Sequence, residues 1–385
     1  MQSQIRKAVA MGLGLTLVAA ACGTEADAEV AGAVEGQPTI VEGQPTVAVT
    51  TNILGDVVSN LVGDQANVVT LMSVGSDPHD FQASAQQISL VGESDAFVTN
   101  GANFEEGLLD LIDSIEDDGA VPVHEAIDGV LTIEFEEDDV HGHEEGEEHD
   151  DEEGEEHDDE EGEEHDDEEG EEHDDEEGEE HDDEEGEEHD DEEGEEHDDE
   201  EGEEHAHEGA DPHFFTDPVR MAVAIEGITE FLAQNVEGVD VDVLRANADS
   251  YLSELTALDA ELTAMFDDLS QDQRKIVTNH EVFGYFADRY DFEVIGTIVP
   301  SGSTTDGVSG QELAELAEVI ENEGVPAVFA ETSSSDELAQ TLASEVGDIA
   351  VVELFSESLG DADSEGATYI DMVRSNATRI VSALG

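Results

Sequence analysis

The stretch Val241-Asp-Val-Leu-Arg-Ala-Asn-Ala-Asp-Ser-Tyr-Leu-Ser-Glu-Leu-Thr-Ala-Leu-Asp-Ala-Glu-Leu-Thr-Ala-Met-Phe-Asp-Asp-Leu269 carries Leu244, Ala248, Leu252, Leu255, Leu258, Leu262 and Phe266 at steps of three and four residues. Such steps hold side chains on one side of an α-helix, so the stretch predicts a single helix with a continuous apolar face. At 1.5 Å per residue, about 28 residues reach roughly 42 Å, more than one small domain requires. A rod of that length suits the junction of two lobes.

On both sides of the rod, short apolar runs alternate with amphipathic ones. Before it come the strand-like Val47 to Thr51, Val68 to Met72, Ala96 to Thr99 and Val121 to Val123. Between them lie helical patterns from Ile53 to Val62, up to Val91, and through Leu108, Leu109, Leu111, Ile112 and Ile115. Asp217-Pro218 opens a further helix through Met221, Ile225 and Ile228. After the rod, strands are predicted at Lys275–Thr278, Phe292–Val299, Ala327–Ala330 and Ile349–Leu354, and the chain closes on a helix from Ala367 to Leu384. Short apolar strands separated by helices indicate parallel sheets covered on both faces. The expected fold is α/β with two lobes, each a parallel sheet flanked by helices. The parsing is an N-terminal lobe at 47–240, an interlobe helix at 241–270 and a C-terminal lobe at 271–385.

The first lobe is interrupted at 136–210 by an insertion containing seven consecutive copies of Glu-Glu-Gly-Glu-Glu-His-Asp-Asp, from Glu144 to Asp199. A period of eight turns each histidine by about 80° on a helix, so no helix face collects them, and a glycine in every octad disfavours a helix further. Six carboxylates per octad leave nothing to bury, so a solvated, disordered loop is expected. Its imidazoles and carboxylates are donors for borderline divalent cations. His141, His143, His149, His157, His165, His173, His181, His189, His197, His205 and His207 are therefore read as accessory weak metal sites.

The chain has 107 Asp and Glu against 9 Lys and Arg, and 46 of those acids lie between Glu144 and Glu204. The rest is strongly acidic on its own, which excludes a phosphate-neutralising nucleic-acid binder. Concentrated salt would screen the self-repulsion of such a surface. Arg6-Lys7 followed by the apolar run Ala8 to Ala21 has the layout of a secretory signal at 1–22. It ends at Cys22, the single cysteine, so no intrachain disulfide can form. Cys22 resembles a lipobox cysteine, which implies lipidation there and an anchor outside the membrane. Residues 23–46, in which Glu-Gly-Gln-Pro-Thr occurs twice, read as a flexible tether.

In open α/β sheets, ligand-binding residues gather beyond the carboxyl ends of strands. His79 follows Val68–Met72, His280 follows Lys275–Thr278, and Glu357 follows Ile349–Leu354, while His213 closes the acidic insertion. Three imidazoles and one carboxylate, two donors from each lobe, suit four-coordinate zinc better than oxygen-preferring manganese. Protonation of those imidazoles predicts an affinity that falls below roughly pH 6.5. His124 reads as an ordinary strand-end histidine.

These residues resemble the zinc and manganese substrate-binding proteins of bacterial ABC importers, the cluster with a rigid interlobe helix. The likeness rests on Asp77-Pro-His79-Asp-Phe81, Ser94–Gly101, Asp211-Pro-His213-Phe-Phe-Thr-Asp-Pro218, Asn279–Tyr290, Val328-Phe-Ala-Glu331 and Ser358-Leu-Gly360 with Tyr369 and Asn376. The resemblance implies zinc ligation by His79, His213 and His280. An aspartate often stands where Glu357 is, so Glu331 is retained as an alternative or supporting carboxylate. It also implies a monomeric extracytoplasmic receptor, with Zn2+ as cargo and a membrane permease and ATPase as partners.

A manganese or iron receptor of the same class is the nearest alternative. A surface metal-sequestering or adhesive lipoprotein, in which the acidic tract binds the metal, is the next. A zinc hydrolase is disfavoured, because no His-Glu-x-x-His occurs: His143-Glu144 is followed by Glu145-Gly146-Glu147.

Overall fold

The computed structural model describes residues 40–134, 209–305, 307–347 and 349–385. In chain order the first half forms β1 (Thr46–Val49), α1 (Asn52–Val62), β2 (Asn67–Thr70), α2 (Ala85–Gly92), β3 (Ala96–Thr99), α3 (Leu109–Asp118), β4 (Val123–Glu125) and α4 (Pro218–Asn235). The second half forms α5 (Val241–Phe266), β5 (Lys275–Thr278), α6 (Gly284–Tyr290), β6 (Glu293–Thr297), α7 (Gly310–Glu323), β7 (Ala327–Glu331), α8 (Glu337–Val346), β8 (Ala350–Leu354) and α9 (Tyr369–Leu384). The strands make two four-stranded parallel sheets, ordered β2-β1-β3-β4 and β6-β5-β7-β8. Two parallel sheets flanked by helices match the sequence expectation, and both follow the same strand order.

Alternation along the strands explains how both sheet faces are covered. Val47, Val49 and Val98 point into one large core together with Ile276, Phe329 and Leu354, and that core runs through both lobes. Ala48 and Phe97 point the other way into a small core with Leu71, Met72 and Ile112. In the second lobe Val277 and Val328 do the same with Ala317, Ile320 and Leu342. Each sheet therefore has a private outer core, and the shared inner core joins the lobes.

Helix α5 is the spine of that shared core. Asp240 caps it by accepting from the N–H groups of Asp242 and Val243. Leu244, Ala248, Tyr251, Leu255, Leu258, Leu262 and Phe266 are its buried face, with Leu252 only partly covered. The helix stops at Phe266 and not Leu269, where the chain turns and the Leu269 N–H donates to the Phe266 carbonyl. Its 26 residues still extend about 39 Å. Asp56 on α1 accepts from the Tyr251 hydroxyl of α5 and from the Tyr369 N–H of α9, joining both lobes to the rod.

Some element bounds differ from the sequence expectation. Strand β2 ends at Thr70, and Leu71 and Met72 turn into the outer core. β4 starts at Val123, two residues later than expected, because Pro122 has no N–H and contributes only its carbonyl, to Phe97. Ala210, assigned to the insertion, pairs with Glu134 in an antiparallel bridge. The signal region with Cys22 and the histidines from His141 to His207 lie outside the described residues.

Candidate metal centre

Each Asp-Pro-His motif is a small aiming device. Asp77 Oδ1 accepts the His79 N–H at 3.0 Å, and Asp211 Oδ1 accepts the His213 N–H at 2.8 Å, so the aspartate folds the turn that presents its own histidine. The two copies then diverge. Asp211 Oδ1 also lies 2.8 Å from His213 Nδ1, whereas His79 Nδ1 lies 2.9 Å from Glu106 Oε1. His280 leaves β5 in a turn in which its carbonyl accepts from the Thr278 hydroxyl and the Val282 N–H. That turn delays α6 to Gly284. Nδ1 of His280 faces Glu331 Oε1 at the end of β7. Glu357 lies beyond β8 in a segment held by Asn376, whose side chain pairs with both the N–H and the carbonyl of Phe355.

With every Nδ1 turned toward a carboxylate, every Nε2 points inward. Glu357 Oε1 is 2.8 Å from His79 Nε2 and 3.2 Å from both His213 Nε2 and His280 Nε2. One ligating atom from each of the four residues falls within 4.8 Å of the others. Tetrahedral zinc with bonds near 2.0–2.1 Å spaces its donors about 3.3 Å apart, close to the separations around Glu357. The other oxygen of that carboxylate, Oε2, is buried and has no hydrogen-bond partner among the described residues. Exposures of 4% for His79, 0% for His213 and His280, and 1% for Glu357 show that the cluster is closed to bulk solvent.

Phe104 walls the cluster, with its ring edge-on to His79 at 5.4 Å and to His213 at 5.5 Å. It sits after Gly101, Ala102 and Asn103, three consecutive residues with positive φ. Glu105 secures this unfavourable turn from behind, accepting from the Asn100 N–H and the Thr50 hydroxyl.

The charges are interdependent. Burial alone would push the His79 imidazole down, but the Glu357 and Glu106 carboxylates outweigh it and lift His79 to about 9. Burial likewise opposes charge on His280, yet Glu331 and Glu357 raise it well above the usual histidine range. Burial would raise Glu357, but His280 and His79 hold it well below the usual carboxylate range. Without an ion, protons on His79 and His280 hold these two imidazoles against the carboxylate. The onset near pH 6.5 expected from the sequence therefore moves up for His79.

All four of the sequence-selected donors converge. Glu331 does not join them, because it approaches His280 from the Nδ1 side. His124 is elsewhere, within β4, stacked on Phe231 at 5.0 Å. Sequence reasoning missed Glu106 and the orienting role of Asp211. The aspartate two residues before each histidine was the available signal for Asp211, and nothing local marks Glu106. A cavity of about 470 Å3 between α6 and the edge strand β6 borders the surroundings of the cluster at Asp211.

Two parallel sheets closing on one enclosed cluster of imidazole and carboxylate groups define a two-lobed binding protein. The chain belongs to the ZnuA family, the periplasmic component A of the zinc-uptake complex, which matches residues 47–383. It is similar to the manganese-binding lipoprotein MntA of Halalkalibacterium halodurans, 24% identical over 371 residues that cover 96% of this chain and 95% of that protein. The zinc-binding protein TroA of Treponema pallidum is 32% identical over 179 residues, 45% of this chain and 57% of that protein. The metal ABC transporter substrate-binding lipoprotein SsaB of Streptococcus sanguinis is 21% identical over 342 residues, 88% of each chain. The solved structure of TroA shares the fold, with a TM-score of 0.65 at 23% identity, covering 89% of this chain and all of the other. The chain is thus a metal-binding receptor component of an ABC importer, in a family of extracytoplasmic binding proteins. No described helix is long and apolar enough to cross a membrane.

Proposed function

We propose that this receptor carries Zn2+, bound by His79, His213, His280 and Glu357, to a membrane permease driven by an ATPase. One observation carries the reading: three Nε2 atoms meet at Glu357 Oε1 while the second oxygen of the same buried carboxylate has no hydrogen-bond partner among the described residues. Three nitrogens and one oxygen suit four-coordinate zinc, and Glu106, Asp211 and Glu331 keep each imidazole turned so that Nε2 is the ligating atom. Binding exchanges the protons of His79 and His280 for the ion. Four protein donors leave no open position for an activated water, so the proposed role is capture and not hydrolysis. The segment from His141 to His207 is assigned accessory weak capture, and Cys22 a lipid anchor.

A manganese receptor is the second reading, favoured by the same Glu357 Oε2, which could add an oxygen donor. Calorimetric titration with zinc and manganese in competition, on the intact chain and after deletion of Glu144 to Glu204, separates the readings. The zinc reading expects one tight zinc site that survives the deletion, is lost in His280→Ala, and outcompetes manganese. Tight zinc binding that disappears with the deletion would favour the sequestering reading, and preferential retention of manganese the other receptor.

A further inference from the structure

Several hydrogen bonds cross between the lobes beside the donors, including that of the Tyr285 hydroxyl to the Asp211 carbonyl at 2.6 Å, and the two at the His79 and Glu357 segments differ in kind. At one, the Thr304 hydroxyl, in the loop after β6, donates to Asp77 Oδ2 at 2.6 Å, two residues before His79. At the other, Asn52 at the start of α1 reaches the segment carrying Glu357. Asn52 Oδ1 accepts the Leu359 N–H at 2.7 Å, and Nδ2 donates to Ser358 Oγ at 3.0 Å and to the Ser73 carbonyl at 3.2 Å. Ser358 Oγ also accepts the Gly75 N–H at 2.7 Å and donates to the Leu359 carbonyl. Both protons of the Asn52 amide and the hydroxyl proton of Ser358 are thereby committed, which fixes the amide orientation. Asn52 is 8% exposed and Ser358 1%.

The segment has two anchors in its own lobe. Phe355 is paired with Asn376, and the Gly360 N–H donates to the Gly366 carbonyl. Between them, the Leu359 N–H and the Ser358 hydroxyl are bound by the N-terminal lobe. Glu357 is adjacent to Ser358, so the point where its carboxylate meets His79 and His213 depends on where Asn52 holds its neighbours.

We propose that Asn52 is a positioning residue for the C-terminal donor, an interlobe clasp acting through Ser358 and Leu359 whose opening sets how fast a bound ion leaves. This rests on the metal reading above. The Thr304–Asp77 bond is a single contact and the Tyr285–Asp211 bond lies on the His213 side, whereas losing Asn52 strands a buried N–H and loosens a buried hydroxyl next to Glu357, so Asn52 governs that donor.

The test uses the full chain loaded with zinc, with metal removed by an excess of chromophoric chelator in a stopped-flow instrument. Asn52→Ala should raise the off-rate about tenfold, the scale of one buried hydrogen bond, and leave the on-rate within about twofold. Ser358→Ala should act in the same direction, and the double variant should fall short of the product of the two effects, because both remove one clasp. In the metal-free protein, hydrogen exchange in the peptide spanning Phe355 to Gly360 should quicken in Asn52→Ala, with β7 and α9 unchanged. If Asn52→Ala fails to fold, Asn52→Asp keeps the acceptor for Leu359, loses both donations, and should show a smaller shift in the same direction. Unchanged off-rates, or multiplicative single effects, would overturn the clasp. If the unaltered protein takes up no zinc, the metal reading fails while exchange still decides the clasp: a quickened peptide keeps it, an unchanged one ends it.

Discussion

The two lobes share one strand order and place different groups at matching strand ends. β1 leads into Asn52, a structural clasp, whereas its counterpart β5 leads into the donor His280. β2 leads to the donor His79, and its counterpart β6 to Thr304, which donates to the Asp77 turn. β3 is followed by Glu105 and Glu106, and β7 ends in Glu331, so here both lobes supply carboxylates. The last pair also agrees in role, with β4 and β8 each preceding a donor, His213 and Glu357. Topology brings the crests of both sheets to one cleft, and local turns decide which crest holds a donor. The lobes also differ in protection: the Glu106 side chain is 26% exposed, that of Glu331 1%.

That asymmetry can be broken most sharply at Glu357, the atom common to all three imidazoles. Glu357→Ala should lower zinc affinity about 1,000-fold, on the order of 4 kcal/mol for stripping a partner from buried charges. His79→Ala should do nearly as much, both read by competition with a chelator of known affinity. Equal retention in both variants would mean that the four groups do not act as one site.

Acidity acts on both lobes together. The folded His79 value is raised from 6.5 to about 9, so metal-free protein holds a proton there that binding must displace. Displacing the His79 proton makes zinc affinity climb about tenfold per pH unit up to about pH 9, and displacing the proton of His280, also raised, steepens that climb. The same raised value stabilises the metal-free fold fully below pH 6.5, and this contribution is lost as pH rises through 9. Calorimetry in buffers of different ionisation enthalpy counts the protons, and thermal melts of chelated protein follow the stability.

Replacing the supporting carboxylates sharpens the contrast between lobes. Glu331→Gln and Glu106→Gln should each weaken zinc binding by about 10- to 100-fold, with the buried Glu331 at the upper end and the half-open Glu106 at the lower. The smallest effect is expected on the rod that serves both lobes. Asp240→Ala removes the cap of α5 and should cost about 1 kcal/mol of stability in a thermal melt. Zinc affinity should stay unchanged, since the cap is remote from the donors.

Much of this was legible in the chain because it is local. A stripe at steps of three and four residues is enough to specify α5, and short continuous apolar runs separated by helices are enough to specify parallel strands buried on both faces. Asp-Pro-His contains its own aiming turn, so His79 and His213 stood out from the many histidines of the acidic tract. What required the tertiary structure is long-range. Glu357 meets His79 across 278 residues and Asn52 meets Ser358 across 306, separations that leave no periodic trace. Sequence offered both Glu331 and Glu357 as carboxylates near His280. Only the packing decided that Glu331 faces Nδ1 and Glu357 faces Nε2, because the side of an imidazole that a carboxylate reaches is set by which strand crest stands behind the ring.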